Sequence, residues 1–282
     1  MTKQKPWLLM CPPDYYGIEY EINPWMSRSR GSDNARAARQ WNSLYDTLAG
    51  LDARISLLEP QPGLPDLVFT ANAGMVFRNL FISSRFRHDV RARESPYYER
   101  WFAAAGFQVR LLSNRLFFEG AGDALFCGAT LFGGYRIRSD VFSHQEIARL
   151  VGCETLPVEL VDTRFYHLDT CFCPIELGAA IWFPGAFDSY GQQVIRQNVA
   201  DLIDVSPDEA LRFACNAVVV GRTVVTPAGC QRLRRELESR HFEVRELELD
   251  EFLKAGGSAK CLTLRIDGEE AAAWRATGEQ AA

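Results

Sequence analysis

The sequence predicts an α/β fold arranged as a ring of about five similar units, and three observations lead there. Polar residues recur at the mouths of short apolar strands: Asn23, Asn72, Glu119, His167, Asn216 and Cys261, spaced by 49, 47, 48, 49 and 45 residues. A period just under fifty residues marks blades or stacked units, each too small to bury its apolar face alone. Each period also carries the same order of strand, strand, helix and strand. Finally, 282 residues with 47% hydrophobic and 24% charged content are ordinary globular composition, enough chain for one substantial core.

The elements follow in order. Trp7-Leu8-Leu9-Met10-Cys11 reads as an opening strand, too short for the apolar part of a signal peptide or a bilayer span. Residues 12–31 form an aromatic and polar loop, the candidate for a lid. Over 33–49, Ala38, Trp41, Leu44, Tyr45 and Leu48 fall at helical spacing behind Asp33 or Ser32 as N-cap. A strand at 55–58 and a Pro/Gly turn at 61–65 close the first unit. The second runs from Asp66 through strands near 74–77 and 80–83, a helix over 95–105 and a strand over 108–112. The third has a strand entering the turn Gly120-Ala121-Gly122, a strand at 130–133, a helix over 143–151 and a strand over 155–161. The fourth opens at 166–175 and 179–183, and the fifth at 213–221 and 223–226 with a helix over 229–240 and a strand over 242–247. The apolar alternation from Cys261 to Arg265 reads as a last short strand.

Bulk properties narrow the function. A net charge of −5 gives no support to a nucleic-acid partner. Eight cysteines in a chain of this length do not form a disulfide scaffold, and Cys127 and Cys215 lie in apolar runs as in reduced proteins. Cys171-Phe172-Cys173 has the spacing of neither a zinc knuckle nor a redox pair, and the four histidines are scattered. A cytoplasmic protein without metal or cofactor is expected, with no membrane partner; a homo-oligomer stays open.

In a ring, equivalent positions converge on the axis, so Glu119, His167 and Cys261 are expected to meet. Gly256-Gly257-Ser258-Ala259-Lys260-Cys261 gives the thiol a flexible approach, which predicts a cysteine exposed in a cleft at a strand start. A thiolate is a nucleophile, a histidine moves protons, and a neighbouring carboxylate orients the imidazole. Asp66 and Asp169 add negative charge, the latter placed on the strand face of His167 by its two-residue spacing. Such an anionic cleft suits a planar cation with several N–H donors, and a guanidinium held bidentately matches. Turn-capping remains an alternative for Asn23 and Asn216, and a cap or surface ion pair for the two aspartates.

Pro65-Asp66-Leu67-Val68-Phe69-Thr70-Ala71-Asn72-Ala73, Phe118-Glu119-Gly120-Ala121-Gly122-Asp123, His167-Leu168-Asp169 and Gly256 to Cys261 together resemble the guanidino-group modifying enzymes. These are the amidinotransferases, arginine deiminases and dimethylarginine dimethylaminohydrolases, and the likeness runs over almost the whole chain. The resemblance implies a pentein, a five-bladed α/β propeller, as a single catalytic domain over 1–282. It implies Cys261 as nucleophile, His167 as general acid and base, and Glu119, Asp66 and Asp169 around the guanidinium. The segment Thr70 to Ala73 departs from the acidic pair of dimethylarginine hydrolases. Asn72, Asn23 and Arg91 resemble instead the arginine dihydrolase branch, where the asparagines line the site and the arginine meets the substrate carboxylate; a solvated surface role is the alternative for Arg91. The expected reaction is hydrolysis of a small guanidino substrate through a covalent thiouronium. Methylarginine hydrolysis, arginine deimination, transfer of the amidino group to an amine and a non-catalytic binding ring are the competing readings.

Overall fold

A computed structural model describes residues 5–268, and its strands form five three-stranded sheets. The strands are β1 (Trp7–Met10), β2 (Arg54–Leu57), β3 (Gly74–Phe77), β4 (Leu80–Ser83), β5 (Gln108–Arg110), β6 (Ala124–Cys127), β7 (Thr130–Tyr135) and β8 (Thr155–Glu159). They continue as β9 (Phe172–Glu176), β10 (Ala179–Trp182), β11 (Asp201–Asp204), β12 (Val218–Val220), β13 (Thr223–Pro227), β14 (Glu243–Leu247) and β15 (Leu264–Arg265). In four sheets a tight hairpin pairs the first two strands antiparallel, and a helical crossover then lays the third parallel to the middle one. The remaining sheet joins distant parts of the chain: β1 lies parallel to β2 and antiparallel to β15, with Leu8 opposite Arg265 and Leu9 opposite Leu264. That pairing fixes the segment that carries Cys261 to the N-terminal strand.

The helices bury one stripe each. Asn34–Gly50 turns Ala37, Gln40, Trp41, Leu44 and Leu48 inward, and Asp33 caps it by accepting from the Arg36 N–H at 2.9 Å. The helices Ser95–Ala104, Val141–Val151 and Gln231–Ser239 occur within a few residues of their expected places. Strands β3 and β6 are buried throughout, which is why they read as continuous apolar runs rather than alternating ones.

Three local expectations need correction, all at the mouths of first strands. The strand expected from Cys261 is only Leu264–Arg265; Cys261 lies in a turn, because Asn216 Oδ1 takes the backbone N–H groups of Ser258 at 3.0 Å and Cys261 at 3.1 Å. The expected turn after Glu119 is the 3-10 turn Gly120–Gly122, but the strand expected to enter it is absent, since Phe118 only bridges to Arg85. Asp169 sits in the 3-10 turn Leu168–Thr170, so no shared strand face relates it to His167. With Thr70–Ala73, these turns stand immediately before β3, β6 and β9. The in-phase polar residues therefore ride on turns, whose backbone N–H and C=O groups are free to hold side chains, rather than on strands where the ladder consumes them. Among the described residues no helix is long and apolar enough to cross a membrane.

Candidate active site

Glu119 and His167 form the best-defined pair. His167 Nε2 lies 2.7 Å from Glu119 Oε2, with both side chains essentially inaccessible. The same carboxylate accepts from Arg138 Nη1 at 3.0 Å and, through Oε1, from the Arg87 backbone N–H at 3.0 Å. Burial alone would raise its pKa, but the Arg138 charge and the His167 hydrogen bond outweigh burial and hold Glu119 well below the usual carboxylate range. Burial pushes His167 the other way, toward the neutral imidazole, against the pull of Glu119. An ionised Glu119 therefore accepts from Nε2–H, which leaves Nδ1 as the nitrogen able to exchange a proton. The turn beneath His167 is held by Asp123, whose Oδ1 accepts the Leu168 N–H at 3.1 Å while Oδ2 accepts from Ser139 Oγ at 2.6 Å.

Cys261 is held by one other in-phase position, Asn216, and by Asp169. Its thiol donates to Asp169 Oδ2 at 3.5 Å, and Asn216 Nδ2 donates to Sγ at 3.1 Å. The exposed cysteine expected from the glycine-rich approach is corrected here: Cys261 is buried, and burial, then Asp169, raise its pKa well above the ordinary thiol value. The two glycines serve close approach instead. Gly256 has φ of 83°, and a Cβ there would lie 2.6 Å from the Tyr166 hydroxyl, which donates to the Gly256 carbonyl.

Asp66, Asn72 and Arg91 make the third cluster. Arg91 donates to both oxygens of Glu94 at 2.8 Å, to Asn72 Oδ1 at 2.9 Å and to the Asp66 carbonyl at 3.2 Å. The solvated surface alternative for Arg91 does not hold, since the side chain is buried. Its Nε lies 3.8 Å from Asp66 Oδ2, and Asp66 Oδ1 is buried without a hydrogen-bond partner. Burial raises the pKa of Asp66 despite Arg91. Asn72 Nδ2 faces the Glu119 carbonyl at 3.4 Å and His167 Nδ1 at 3.5 Å, so the third cluster touches the first. Gly122 makes this contact fit: a Cβ there would sit 2.4 Å from Asn72 Nδ2.

One pocket brings Cys261 together with the third cluster. Asn23, Asp66, Asn72, Arg91, Arg138 and Cys261 line it, with Tyr166 and Gly256 completing the wall. The turn-capping alternative for Asn23 is present: Oδ1 accepts from the Trp25 and Met26 N–H groups, while Nδ2 donates to the Ala255 carbonyl at 3.0 Å. The free volume is about 10 Å³, room for a single water, and Ile22 and Met26 from the loop over 12–31 are part of its lining. Glu119, His167 and Asp169 stand behind the lining, bonded to Arg138, Asn72 and Cys261. Among the described residues no group of three or more His, Cys, Asp or Glu is arranged to hold a metal ion. The sequence reading missed Arg138, Glu94 and the part of Asn216 in holding sulfur. Asn216 was in phase; Arg138 and Glu94 lie outside the period, with no local signal to single them out.

Over residues 20–267 the chain matches the family described as N,N dimethylarginine dimethylhydrolase, eukaryotic. The chain belongs to that family. It is 47% identical over 263 residues to the bifunctional arginine dihydrolase/ornithine cyclodeaminase AgrE of Nostoc sp., a match covering 92% of this chain and 37% of the relative. The chain thus spans little more than a third of that relative's length. To the N(G),N(G)-dimethylarginine dimethylaminohydrolase of Mycobacterium tuberculosis it is 38% identical, covering 91% of this chain and 84% of the relative. Among solved structures, the substrate-bound N-terminal domain of ArgZ, an arginine dihydrolase from the ornithine–ammonia cycle in cyanobacteria, matches with a TM-score of 0.91 and 44% identity. That match covers 94% of this chain and 99% of the domain. A dimethylarginine dimethylaminohydrolase adduct with S-methyl-L-thiocitrulline, at 20% identity and a TM-score of 0.81, shares the fold. Five sheets for five repeats and these likenesses bear out the expected pentein-type α/β fold.

Proposed function

We propose that this chain is a cysteine-dependent hydrolase of the guanidino group of arginine, acting as an arginine dihydrolase. The observation that carries the reading is the pocket itself, lined by both Cys261 and Asp66, whose Oδ1 is buried without a hydrogen-bond partner. A buried carboxylate oxygen without a donor is costly, and a guanidinium supplies both the N–H groups and the charge that satisfy it. The names of AgrE and ArgZ support the same choice.

The thiol is protonated at rest, so activation falls to the substrate. A guanidinium between Asp66 and Asp169 brings positive charge beside Sγ and lowers the cost of the thiolate. Sulfur attacks the guanidinium carbon and forms the C–S bond. The thiol proton passes by His167 to the departing nitrogen, and ammonia leaves a covalent thiouronium. Glu119 stabilises the imidazolium in transit. Water then loses a proton to His167, attacks the same carbon and expels sulfur, giving citrulline. A second cycle on the retained ureido group gives ornithine, carbon dioxide and a second ammonia, two waters being consumed in all. Entry requires the loop over 12–31 to lift Ile22 and Met26 from the pocket. In this reading Asn23 shapes the wall, Asn72 and Arg91 meet the substrate, and the work is cytoplasmic and cofactor-free.

Incubation with arginine, methylated arginines and agmatine, with citrulline, ornithine, amines and ammonia quantified, tests the proposal. Ammonia and ornithine in a ratio near two, absent with Cys261→Ser, is the expected result. Dimethylamine release from methylated arginine in preference to arginine turnover would overturn it.

A further inference from the structure

We propose that Glu94, which lies outside the pocket lining, is a positioning residue that sets the protonation state of His167 through Arg91 and the amide of Asn72. The chain of contacts is continuous and buried. Both Glu94 oxygens accept from Arg91 at 2.8 Å, and Arg91 Nη1 donates to Asn72 at 2.9 Å. A guanidinium has only donors, so the Asn72 atom that it meets must be the oxygen. The amide NH2 group is thereby turned to the Glu119 carbonyl and to His167 Nδ1. An N–H facing Nδ1 favours the lone pair on that nitrogen. With Nε2–H committed to Glu119 at 2.7 Å, the imidazole is kept neutral and ready to accept a proton.

Removing the Glu94 acceptor oxygens changes which carboxylate Arg91 serves. Asp66 Oδ2 already lies 3.8 Å from Arg91 Nε, and without Glu94 the guanidinium is drawn to it and releases the Asn72 oxygen. The amide is then free to turn its oxygen to Nδ1, where it stabilises Nδ1–H and hence the imidazolium. The other groups whose charge bears on His167 are Glu119, Arg138 and Arg91 itself, and the Tyr166 ring lies beside the imidazole. Glu119 and Arg138 keep their direct contact in a Glu94 variant, so they leave the difference to the amide.

The inference rests on the reading of His167 as the acid–base group, but its test needs no substrate, so its failure is distinct from a failure to hydrolyse arginine. The full chain is labelled with 15N-histidine, the His167 resonances are assigned with His167→Gln, and the ring nitrogens are titrated by NMR. In the native protein His167 stays neutral over about pH 5–8. Glu94→Leu leaves Arg91 no acceptor at this position, unlike a protonated Glu94, and moves the His167 midpoint upward by about one pH unit. In the Asn72→Ala background, with no amide to turn, Glu94→Leu leaves the midpoint where Asn72→Ala alone puts it. A merely structural role for Glu94 would lower stability and leave both titrations alike. An unchanged midpoint in Glu94→Leu, or an equal rise in the Asn72→Ala background, would overturn the inference. Should Glu94→Leu fail to fold, Arg91→Lys, which cannot span Glu94 and Asn72 together, tests the same link with the same expected rise.

Discussion

Glu119 and Glu94 are both fully buried carboxylates gripped by an arginine, yet their surroundings drive them in opposite directions. Glu119 accepts from Arg138, from His167 and from the Arg87 backbone N–H, and it is held well below its ordinary pKa. Glu94 has the two hydrogen bonds of Arg91, while Asp66 and Glu119 repel its charge; burial, only partly offset by Arg91, pushes its pKa up to about 7. The number and spread of donors, rather than the presence of one cation, decides whether a buried carboxylate stays charged. Glu119 is thus a permanent anion suited to steadying an imidazolium, and Glu94 is poised between its two states.

The largest way to break this contrast is Glu119→Gln. It removes the anion beside His167, and turnover of arginine should fall about 10²–10⁴-fold as measured by ammonia release. A fall smaller than tenfold would mean that His167 does not depend on this partner.

Next in size is Arg138→Leu, which strips Glu119 of its cation and the Tyr166 ring of the guanidinium stacked 4.6 Å above it. Leaving a buried charge uncompensated should cost about 3–5 kcal/mol in urea denaturation at neutral pH. The deficit should shrink in the double variant with Glu119→Gln, where no buried anion remains. Because Glu119 has a depressed pKa when folded, its contribution is present above the ordinary value of 4.5 and fades as pH falls toward the folded value.

Glu94 gives the smallest and oppositely signed effect. Between the ordinary 4.5 and about 7 the folded chain holds a proton that the unfolded chain has lost, so this group's contribution declines as pH rises through that window. Glu94→Gln abolishes the decline. The stability difference between native protein and variant should therefore move in the variant's favour, by about 1–3 kcal/mol, from about pH 5 to pH 8. A difference independent of pH would place the titration elsewhere.

The contrast also shows what the sequence reveals. The pairs Glu119–His167 and Asn216–Cys261 are legible because a repeating fold brings equivalent positions of neighbouring units into contact, and the period is visible in residue numbers alone. The helix boundaries are legible from spacing and caps such as Asp33. Arg138 and Glu94 are not: each lies outside the period, and its meaning arises only when three-dimensional packing excludes water around it. The strand start assigned to Cys261 and the strand face assigned to Asp169 fail because both residues lie in turns just before a sheet begins, that of Cys261 held by side chain-to-backbone bonds from Asn216 Oδ1. Cys261 is buried in a cluster that includes Tyr16, Ile18 and Met26 of the loop over 12–31, whose inward side is not encoded by any short-range pattern.

The central claim is a covalent bond between Cys261 and the guanidino carbon, and intact-protein mass spectrometry after rapid acid quenching with arginine addresses it most directly. The account predicts an adduct equal in mass to arginine less ammonia, located by peptide mapping at Cys261 and missing in Cys261→Ser. Full turnover by Cys261→Ser, or an adduct mapped to another cysteine, would contradict it.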